Sequence, residues 1–575
     1  MDYILSFKPC TVHFGMHDPS AAIFNDADLV YAVEEERHGR RKHAPGEFPA
    51  HAIRDCLDHC DLILSDISKV VLPYEPGLYR KQLSYILPRA ARRSDSFRDS
   101  AAEIGKVMRK LIQSRSGAID LVRDRLSMIG TPVPPIQTRA HHACHAASAF
   151  HLSPFDEALV LTVDGIGDHD CTVVWRGTPS GLDRIQTYEN PNSLGKFYAI
   201  VTEFLGYHQF NGEGKVMGLA PYGRKNEKIF HALRSVIDVG ASYDVTALTE
   251  DGVEQGVEKL ERALGRERTQ TPKQFDDWEK DLAFAAQRIL EEIAVSMTRR
   301  YLDQAGTENV ALAGGVALNC KMNKRIMEMP ETEAVFIQPV AHDAGLALGG
   351  PLLDYTPDEV APMSTVYWGP EFSRATIEQR LQEKKIPYSC PNALEKTVAH
   401  AIADGALVGW FQGRLELGPR ALGNRSILAD PRTTASRDRV NRDVKHREEW
   451  RPFAPSLHKG AMSRYFENDE PAPYMIKTFD ACEEHIDEIE AVVHPGDNTA
   501  RPQSVSEEQN PMYYSLIDEF ETITGVPVLL NTSFNDHGEP IVRTPEDAIK
   551  DFYNMGLDML VLGDLVVEKT DEFTN

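Results

Sequence analysis

The sequence has little cysteine, no long apolar run and no excess of positive charge. Only 8 cysteines occur in 575 residues, and none forms a C-x-x-C pair, so a disulfide framework is excluded and free thiols in a reducing compartment are indicated. No signal peptide and no bilayer-spanning segment are recognisable, so we expect a cytoplasmic protein without a membrane partner. The formal charge of −25 argues against nucleic acid as a partner. An anionic substrate would therefore need a local cluster of cations.

Strand-like and helix-like segments alternate along the chain, as they do in α/β proteins. Apolar runs at 158–163, 310–313 and 526–530 predict strands. The stretch 79–125 carries Arg and Lys at helical spacing and predicts a solvated helical insertion. The stretch 483–506 is acidic, contains proline and predicts a loop region. No internal repeat is recognisable in the sequence.

A Pro-rich, turn-like stretch that includes Pro357 and Pro362 divides the chain. This composition is typical of the segment between domains. We therefore expect a first domain over 1–355, a linker over 356–372 and a second domain over 373–575. The length is sufficient for each domain to bury its own core.

A histidine pair is the strongest chemical signal in the first half. In the run 140–150, His141 and His145 are four residues apart, and an apolar segment that ends at Asp164 follows. If the run is helical, both imidazoles lie on one face, and an acid at the end of the next strand can complete a metal site. A packed, hydrogen-bonded pair without metal is the alternative, and the pair alone favours neither. A zinc metalloprotease is disfavoured, because its H-E-x-x-H motif needs a glutamate where this chain has His142.

Three turns with small or acidic residues, at 17–22, 164–168 and 314–319, follow strand-like segments. Small residues let backbone N–H groups approach phosphate oxygens, and Asp can hold a metal or orient a nucleophile. Each turn is weak evidence alone. In this order and spacing they resemble the two phosphate loops and the nucleoside loop of the actin, sugar kinase and Hsp70 ATPase superfamily, which implies a duplicated α/β domain. The resemblance assigns nucleotide binding to Gly165, Gly167, Gly314, Gly315 and Asn319.

Within that superfamily, the spaced histidine pair and the following strand-end aspartate resemble the metal site of the tRNA threonylcarbamoyl-transfer proteins. The ligands implied are His141, His145, Asp164 and Asp343, and the metal implied is iron. On ligand softness alone, two histidines and two aspartates suit Fe²⁺, Zn²⁺ and Mn²⁺ about equally. Mg²⁺ would accompany ATP.

Two further segments, 34–43 and 211–223, are similar to segments of the nodulation-type and antibiotic-tailoring O-carbamoyltransferases. A charged strand exit and a Gly-rich surface loop are the structural alternatives. We favour function for both, because a loop that carries Glu213 and Lys215 among four glycines can approach a ligand closely and still carry charge. Lys42 is the corresponding candidate in the first segment.

His17 is our candidate for the general base that deprotonates an acceptor hydroxyl. An unperturbed imidazole titrates near physiological pH, so it can accept a proton as the hydroxyl attacks a carbonyl. A purely structural role in an N-terminal turn is the alternative.

The second half of the chain concentrates cations among turn residues. Arg414, Arg420 and Arg425 are followed by Lys445, Arg447 and Arg451, and later by the run Asn-Thr-Ser-Phe-Asn at 531–535. Arg forks bind phosphate and carboxylate bidentately, and Ser or Asn adds neutral donors. In a chain with a charge of −25, this cluster indicates an anion site, with a salt-bridged structural cluster as the alternative.

These strings closely resemble the C-terminal, YrdC-like domain of the same O-carbamoyltransferases, so the resemblance extends over essentially the whole chain. It implies that carbamoyl phosphate and the ATP phosphates are held by Arg420, Lys445, Arg451, Arg501, Asn531 and Ser533. Lys445, Arg451 and Ser533 would take part in catalysis there, as His17 would in the first domain.

The resemblance implies a two-stage reaction in which carbamoyl phosphate and ATP give carbamoyl adenylate, whose carbamoyl group passes to a hydroxyl of a sugar or other natural product. A homodimer is compatible with this function. One alternative is a small-molecule kinase or ATPase of the same superfamily, against which the histidine pair and the second domain argue. A non-catalytic nucleotide switch is another. A tRNA-modifying enzyme is a third, and the negative charge opposes it.

Overall fold

The computed structural model describes residues 2–10, 15, 17–76, 115–272, 274–448 and 450–569. The chain divides into two compact units. Unit 1 contains Met1–Glu35 and His43–Met363, and unit 2 contains Glu36–Lys42, with the short helix α1 (Glu36–Gly39), and Ser364–Asn575. Both units are mixed α/β, which confirms the predicted fold class. In the described part of the chain, no helix has the length and apolar character needed to cross a membrane.

Unit 1 is built on two five-stranded sheets. The first contains β1 (Tyr3–Lys8), β2 (Ser20–Asn25), β3 (Asp28–Glu34), β4 (Lys69–Leu72) and β5 (Ile136–Thr138), in the order β3-β2-β1-β4-β5. The second contains β6 (Ala158–Val163), β7 (Asp170–Thr178), β8 (Gly181–Glu189), β9 (Asn309–Ala313) and β10 (Ala334–Ile337), in the order β10-β9-β6-β7-β8.

The two sheets have the same topology. In each, the first three strands form an antiparallel meander, the fourth strand lies parallel to the first, and the fifth lies parallel to the fourth. Unit 1 is therefore a structural duplication. Each sheet also has a β-hairpin turn after its first strand, and these turns contain His17 in the first sheet and Asp164 in the second.

The helices of unit 1 are α2 (Ala50–His59), α3 (Arg115–Ser127), α4 (His141–Phe150), α5 (Leu194–Phe204), α6 (Glu213–Leu219), α7 (Glu227–Arg234), α8 (Thr246–Thr249), α9 (Val253–Leu264), α10 (Asp277–Ala305), α11 (Cys320–Met327) and α12 (Leu346–Leu352). Helix α3 contains the end of the predicted insertion 79–125, of which residues 79–114 lie outside the described residues. Helices α4 and α12 pack against each other, α4 also against β6 and α12 also against β1. Every residue of β6 is buried, as expected for a strand covered on both faces.

Unit 2 contains a seven-stranded sheet. Its strands are β11 (Val408–Phe411), β12 (Arg425–Ala429), β13 (Ala454–His458), β16 (Gln503–Val505), β17 (Val528–Ser533), β18 (Met559–Leu562) and β19 (Leu565–Glu568), in the order β16-β13-β17-β12-β11-β18-β19; β14 (Phe479–Asp480) and β15 (Thr499–Ala500) pair separately. Its other helices are α13 (Arg374–Glu383), α14 (Leu394–Ala403), α15 (Thr434–Arg439), α16 (Met462–Tyr465), α17 (Pro511–Thr524) and α18 (Pro545–Asn554).

Two loop predictions need correction. The segment predicted as a loop over 483–506 contains a 3₁₀ helix at Glu483–Glu488 as well as β15 and β16. The glycine-rich segment 211–223 is not a loop over most of its length, because it forms α6. Gly212 is required there by packing rather than by flexibility, since a Cβ would lie 2.5 Å from Cγ2 of Thr202.

Candidate functional site

Two histidines and two aspartates converge at one end of α4. The Nε2 atoms of His141 and His145 lie 3.3 and 3.1 Å from Oδ2 of Asp164, and 3.8 and 3.9 Å from Oδ1 of Asp343. All four candidate ligand atoms lie within 4.8 Å of one another. Ligands bound at about 2.1 Å to one ion lie roughly 3.0–3.5 Å apart. The donor atoms therefore fit a single divalent cation if the Asp343 carboxylate moves slightly closer to the two histidines.

The charges of this cluster favour a cation. Burial raises the pKa of Asp164, but hydrogen bonds with His141 and His145 outweigh burial and hold that pKa below its usual range. Burial lowers the pKa of His145, but its bonds with Asp164 and Asp343 outweigh this and leave the pKa raised. Two ionised carboxylates thus face two imidazoles, and the Lys8 ammonium beside Asp343 offsets only part of their charge. A divalent cation would bind here in place of the proton that His145 otherwise holds.

His142, between the two candidate ligands, has a structural role. Its Nδ1 lies 2.9 Å from Oγ1 of Thr162, and its Nε2 lies 3.0 Å from the carbonyl oxygen of Asp170. Burial lowers the pKa of His142 to about 3, so the imidazole is neutral. The motif therefore contains two histidines that point into the cluster and one that anchors α4 to the second sheet.

Asp168 holds the first turn of α4. Its Oδ2 accepts the backbone N–H of His141 at 2.8 Å, and its Oδ1 accepts that of Glu75 at 2.9 Å. A carboxylate satisfies the open donors at a helix N-terminus, so Asp168 fixes where α4 presents the first histidine.

Lys8, which sequence reasoning missed, connects the metal cluster to the His17 turn. It is the last residue of β1 and is only 3% exposed. Its Nζ lies 2.8 Å from Oδ2 of Asp343 and also donates a hydrogen bond to the carbonyl oxygen of His17. The sequence did contain a signal for this residue, namely a lysine at the end of an apolar strand. A lysine buried in that position needs a partner of opposite charge.

Asp18 binds two histidines at once. Its Oδ2 lies 2.8 Å from Nδ1 of His17, and its Oδ1 lies 2.7 Å from Nδ1 of His43. Burial raises the pKa of Asp18, but hydrogen bonds with both histidines outweigh this and hold it well below the usual range. The carboxylate therefore stays ionised and accepts the Nδ1–H of His17. Nε2 of His17 then carries the lone pair that can accept a proton.

The predicted nucleotide-binding glycines lie around the metal cluster. Gly165 donates its N–H to Oδ1 of Asp164 at 2.6 Å, and a Cβ on Gly315 would lie 3.4 Å from the same oxygen. A Cβ on Gly167 would lie 2.7 Å from the His141 ring. Gly314 has φ 89° and passes so close to β6 that a Cβ would lie 2.3 Å from the Val163 carbonyl oxygen.

Asn319, the remaining nucleotide-binding candidate, uses its side chain within the fold. Its Oδ1 accepts the N–H of Met322 at 2.9 Å and so caps α11, and its amide pairs with the amide of Gln287 at 2.9 and 3.0 Å. The structure thus gives this side chain a helix-capping role.

Glu213 and Lys215 both lie in the first turn of α6. Oε1 of Glu213 accepts the backbone N–H of Phe210 at 2.9 Å, and burial raises the pKa of this glutamate. Lys215 places its ammonium 4.7 Å from the centre of the Tyr207 ring. Phe210 packs its ring against His17, with 4.6 Å between ring centres. Glu213 therefore contacts Phe210, which in turn contacts the candidate base His17. Lys215 instead packs on the ring of Tyr207.

Unit 2 contains a cluster of cations around the buried Lys445. Its Nζ donates to the carbonyl oxygens of Ser533 and Asn535, at 2.6 and 3.0 Å. Burial holds the pKa of Lys445 well below its usual range, and the charges of Arg447 and Arg451 act in the same direction. Lys42, which belongs to the unit 2 segment Glu36–Lys42, adds a further positive charge.

Arg447 extends this cluster, as its place in the predicted anion site indicated, although the resemblance assigned it no ligand. Burial lowers its pKa well below the usual range, and Arg451 and Arg501 lower it further, while Glu448 opposes them. Its Nε donates to Oδ1 of Asn441 at 2.7 Å, and its guanidinium lies 4.3 Å from the centre of the Phe453 ring. The structure thus brings the predicted residues Lys445, Arg451 and Arg501 into one electrostatic cluster.

Asn531 and Ser533 lie at the end of β17. Nδ2 of Asn531 donates to Oγ of Ser456 at 3.0 Å and to the Ala421 carbonyl oxygen at 3.2 Å, so the orientation of the amide is fixed. Its Oδ1 is buried and has no hydrogen-bond partner among the described residues. This oxygen can therefore accept a hydrogen bond from a ligand, which suits an amino group and not a phosphate oxygen.

The loop between β11 and β12 contains the other arginines. Arg414 and Arg425 donate to backbone carbonyl oxygens, Arg414 to Trp368 at 2.6 Å and Arg425 to Asn424 at 2.9 Å, and so support the loop. Oε1 of the buried Glu416 accepts the N–H groups of Leu422, Asn424 and Arg425 at 2.8, 2.8 and 3.0 Å. Sequence reasoning missed this glutamate, which fixes the loop that carries Arg420.

Two family profiles match the chain. The profile described as the carbamoyltransferase N-terminus matches residues 8–352, and that described as the carbamoyltransferase C-terminus matches residues 399–569. An uncharacterized protein of Synechocystis sp. is 36% identical over 96% of this chain and 95% of its own length. The nodulation protein NolNO of Sinorhizobium fredii is 36% identical over 96% of this chain and 79% of its own length. The 3'-hydroxymethylcephem-O-carbamoyltransferase of Amycolatopsis lactamdurans is 27% identical over 99% of each.

Proposed function

The chain belongs to the O-carbamoyltransferase family, and we propose that it uses ATP and carbamoyl phosphate to carbamoylate a hydroxyl of a small molecule, through carbamoyl adenylate. In this proposal unit 2 forms the adenylate and unit 1 transfers the carbamoyl group. The named relatives act in nodulation and on a hydroxymethyl group, and both are compatible with a hydroxyl-bearing acceptor.

The observation that carries the proposal is the cation cluster of unit 2 around the buried Lys445. Burial and the charges of Arg447 and Arg451 lower the pKa of Lys445, and burial and Arg451 lower that of Arg447, although the whole chain has a formal charge of −25. Like charges held close together cost free energy, and a bound anion offsets that cost. Glu448 lies 3.8 Å from Arg451 and offsets part of the positive charge, and the phosphates of carbamoyl phosphate and ATP have the sign that the rest of the cluster attracts.

In the first stage, water hydrolyses carbamoyl phosphate to carbamate and inorganic phosphate. A carbamate oxygen then attacks the α-phosphorus of ATP, the bond to the β-phosphate breaks, and pyrophosphate leaves. Lys445, Arg451 and Arg501 stabilise the negative charge that shifts in both steps. Oγ of Ser533 supplies a neutral donor. We assign Oδ1 of Asn531 to the carbamoyl amino group, because this fixed oxygen can only accept a hydrogen bond.

In the second stage, the acceptor hydroxyl attacks the carbamoyl carbon and the bond to the AMP oxygen breaks. Nε2 of His17 takes the hydroxyl proton, while Asp18 holds Nδ1–H and stabilises the imidazolium that forms. A divalent metal held by His141, His145, Asp164 and Asp343 would supply a Lewis acid for the adenylate phosphate. The glycines around this cluster let the nucleotide approach the backbone closely, although the N–H groups of Gly165 and Gly167 themselves are donated to Asp164 and Asp170.

We propose iron as the metal, and the four donor atoms also suit manganese or zinc. Elemental analysis of the purified protein tests the site independently of activity. We expect about one metal ion per chain in the wild type, and the loss of most of it in His145→Ala. His142→Gln is the matched control, because this neighbouring histidine does not face the cluster. Equal metal content in all three proteins would contradict the ligand assignment.

The nucleotide products test the reaction. With carbamoyl phosphate, ATP and metal-loaded protein, the proposal predicts AMP and pyrophosphate, and mass spectrometry of candidate alcohols should reveal a gain of one carbamoyl group. The duplicated fold of unit 1 favours one other candidate, a small-molecule kinase. ADP as the nucleotide product would support the kinase and contradict the adenylate route.

A further inference from the structure

Phe210 exposes an aromatic ring beside the candidate general base. Its side chain is 56% exposed, whereas most large hydrophobic residues of the described chain are buried. The ring lies against the His17 imidazole, with 4.6 Å between ring centres and 40° between the ring planes. An exposed phenylalanine that adjoins a chemically important group is more informative than one isolated on a surface.

The backbone holds Phe210 in an unfavourable conformation. Its φ is 68°, a region that bulky residues rarely adopt and that costs on the order of 1–3 kcal/mol. Two contacts stabilise this conformation: Oε1 of Glu213 accepts the Phe210 N–H at 2.9 Å, and Oδ1 of Asn211 lies 3.0 Å from Nε2 of His43. Glycine or asparagine would fit the same backbone with less strain, so the position carries an aromatic ring at a conformational cost.

The same contacts connect Phe210 to the base. Asp18 binds Nδ1 of both His17 and His43, and His43 in turn contacts the residue after Phe210. The His17 imidazole and the Phe210 segment are therefore connected through Asp18, His43 and Asn211. A molecule that brings a hydroxyl to Nε2 of His17 would have its neighbouring atoms next to the Phe210 ring.

We propose that Phe210 is the platform of the acceptor site, and that the acceptor is a hydroxylated saturated ring whose C–H face stacks on this side chain. The face of a phenyl ring is negative and attracts the polarised C–H bonds of a polyol ring. Hydroxyls project from the edge of such a ring, so one of them reaches the imidazole while the C–H face covers the phenyl group. This inference rests on the proposed function, because it takes His17 as the base.

Saturation-transfer NMR on the full-length protein tests the platform with simple probes, so the natural acceptor need not be identified first. The probes are methyl β-galactopyranoside, which has a C–H face, glycerol, which is an acyclic polyol, and benzyl alcohol, which is aromatic. The variants are Phe210→Asn, which suits the positive φ but lacks the ring, and Phe210→Tyr, which keeps the ring. Ile63→Ala is the matched control, since Ile63 is also an exposed hydrophobic residue of unit 1, at 66%.

We expect saturation of the pyranoside to be strongest on the protons of its C–H face and to exceed that of glycerol and benzyl alcohol. Phe210→Asn should weaken pyranoside binding about tenfold, whereas Phe210→Tyr and Ile63→Ala should leave it near the wild-type value. The platform is wrong if Phe210→Asn binds as the wild type does, if the wild type does not bind the pyranoside, or if benzyl alcohol binds better. Failure of the proposed function is separate: the wild type would form ADP in the nucleotide assay, whatever the NMR result.

Discussion

At the scale of single residues, Lys445 connects structure with function most directly. Its ammonium group is buried, donates to the carbonyl oxygens of Ser533 and Asn535 at the end of β17, and lies near Arg447 and Arg451. A lysine whose pKa is lowered in this way gains charge stabilisation when an anion binds. In the proposed function, this property suits Lys445 to a substrate whose negative charge increases during the reaction.

Replacement of this lysine should remove the first stage. We expect Lys445→Ala to lower carbamoyl-phosphate-dependent pyrophosphate release about 100-fold or more, because one preorganised cation near the reacting phosphates is lost. The protein should stay folded, since the substitution relieves repulsion among buried cations. Lys459→Ala, at an exposed lysine of the same unit, is the control. Similar rates in both variants would show that the cluster is structural.

The assignment of His17 makes a different prediction, because it concerns only the second stage. His17→Ala should retain carbamoyl-adenylate formation and lose transfer to the acceptor, and Asp18→Asn should lower transfer about 10-fold or more because the tautomer of His17 is no longer fixed. Product analysis with pyrophosphate and carbamoylated acceptor measured in the same reaction separates the stages. Near wild-type carbamoylation by His17→Ala would contradict the role of this residue as the base.

At the scale of elements, the contact between α4 and α12 positions the metal cluster. Helix α4 carries both histidines, and the 3₁₀ turn that begins at Asp343 leads directly into α12. The helices approach so closely at Gly349 that a Cβ there would lie 1.8 Å from the carbonyl oxygen of Cys144. A side chain at this position must push the two ligand-bearing segments apart.

Gly349→Ala should therefore destabilise unit 1 by about 1–3 kcal/mol, as overpacking of a close-packed interior does, and it should lower the metal content. Gly240→Ala is the matched control, because no atom lies within 4 Å of a Cβ at that position. Chemical denaturation and elemental analysis measure the two effects. If Gly349→Ala binds metal and unfolds as the control does, this helix contact does not hold the site.

His151, at the C-terminal end of α4, should make the free energy of unfolding depend on pH. Burial lowers the pKa of His151 to about 4, so between roughly pH 4 and 6.5 the unfolded chain binds a proton that the folded chain does not. Stability must then fall as pH decreases through this window, by up to about 3 kcal/mol from this residue.

His151→Phe removes the titrating group and keeps an aromatic ring. Its unfolding free energy, measured by urea denaturation, should therefore decrease less than that of the wild type between pH 7 and pH 4.5. Parallel decreases in the two proteins would mean that other groups account for the acid sensitivity.

Sequence reasoning predicted the elements whose signal is local. The apolar runs that became β6, β9 and β17 were recognisable because buried strands are uniformly apolar, and the spacing of His141 and His145 predicted their common helix face. It failed for α6, where the glycines suggested a loop. Gly212, just before this helix, is required because it packs against Thr202, and Gly223, just after it, is required because it packs against Lys280. Lys8 and Glu416 were missed for the same reason, since their partners are known only after folding.

At the scale of the whole molecule, the duplication of unit 1 was implied by the superfamily resemblance and is confirmed by the strand order, although the two halves share topology without a recognisable sequence repeat. A second property could not be read from the sequence. The segment Glu36–Lys42 belongs to unit 2 although it interrupts unit 1 in the sequence, because Arg37 donates to the Gly418 carbonyl oxygen and Arg40 pairs with Glu539. Long-range pairing of this kind leaves no periodic pattern.

The distribution of charge is the whole-molecule property that most constrains function. A chain with a charge of −25 repels anions in general, yet unit 2 brings the partly buried Arg447, Arg451 and Arg501 into electrostatic contact around the buried Lys445. This contrast favours selective binding of small anions over binding of a polyanion.

The most direct test of the central claim is the exchange of labelled pyrophosphate into ATP. Reversible formation of carbamoyl adenylate predicts that metal-loaded wild-type protein catalyses this exchange only when carbamoyl phosphate is present, and that Lys445→Ala does not. Absence of exchange in well-folded, metal-loaded wild-type protein would contradict the adenylate route.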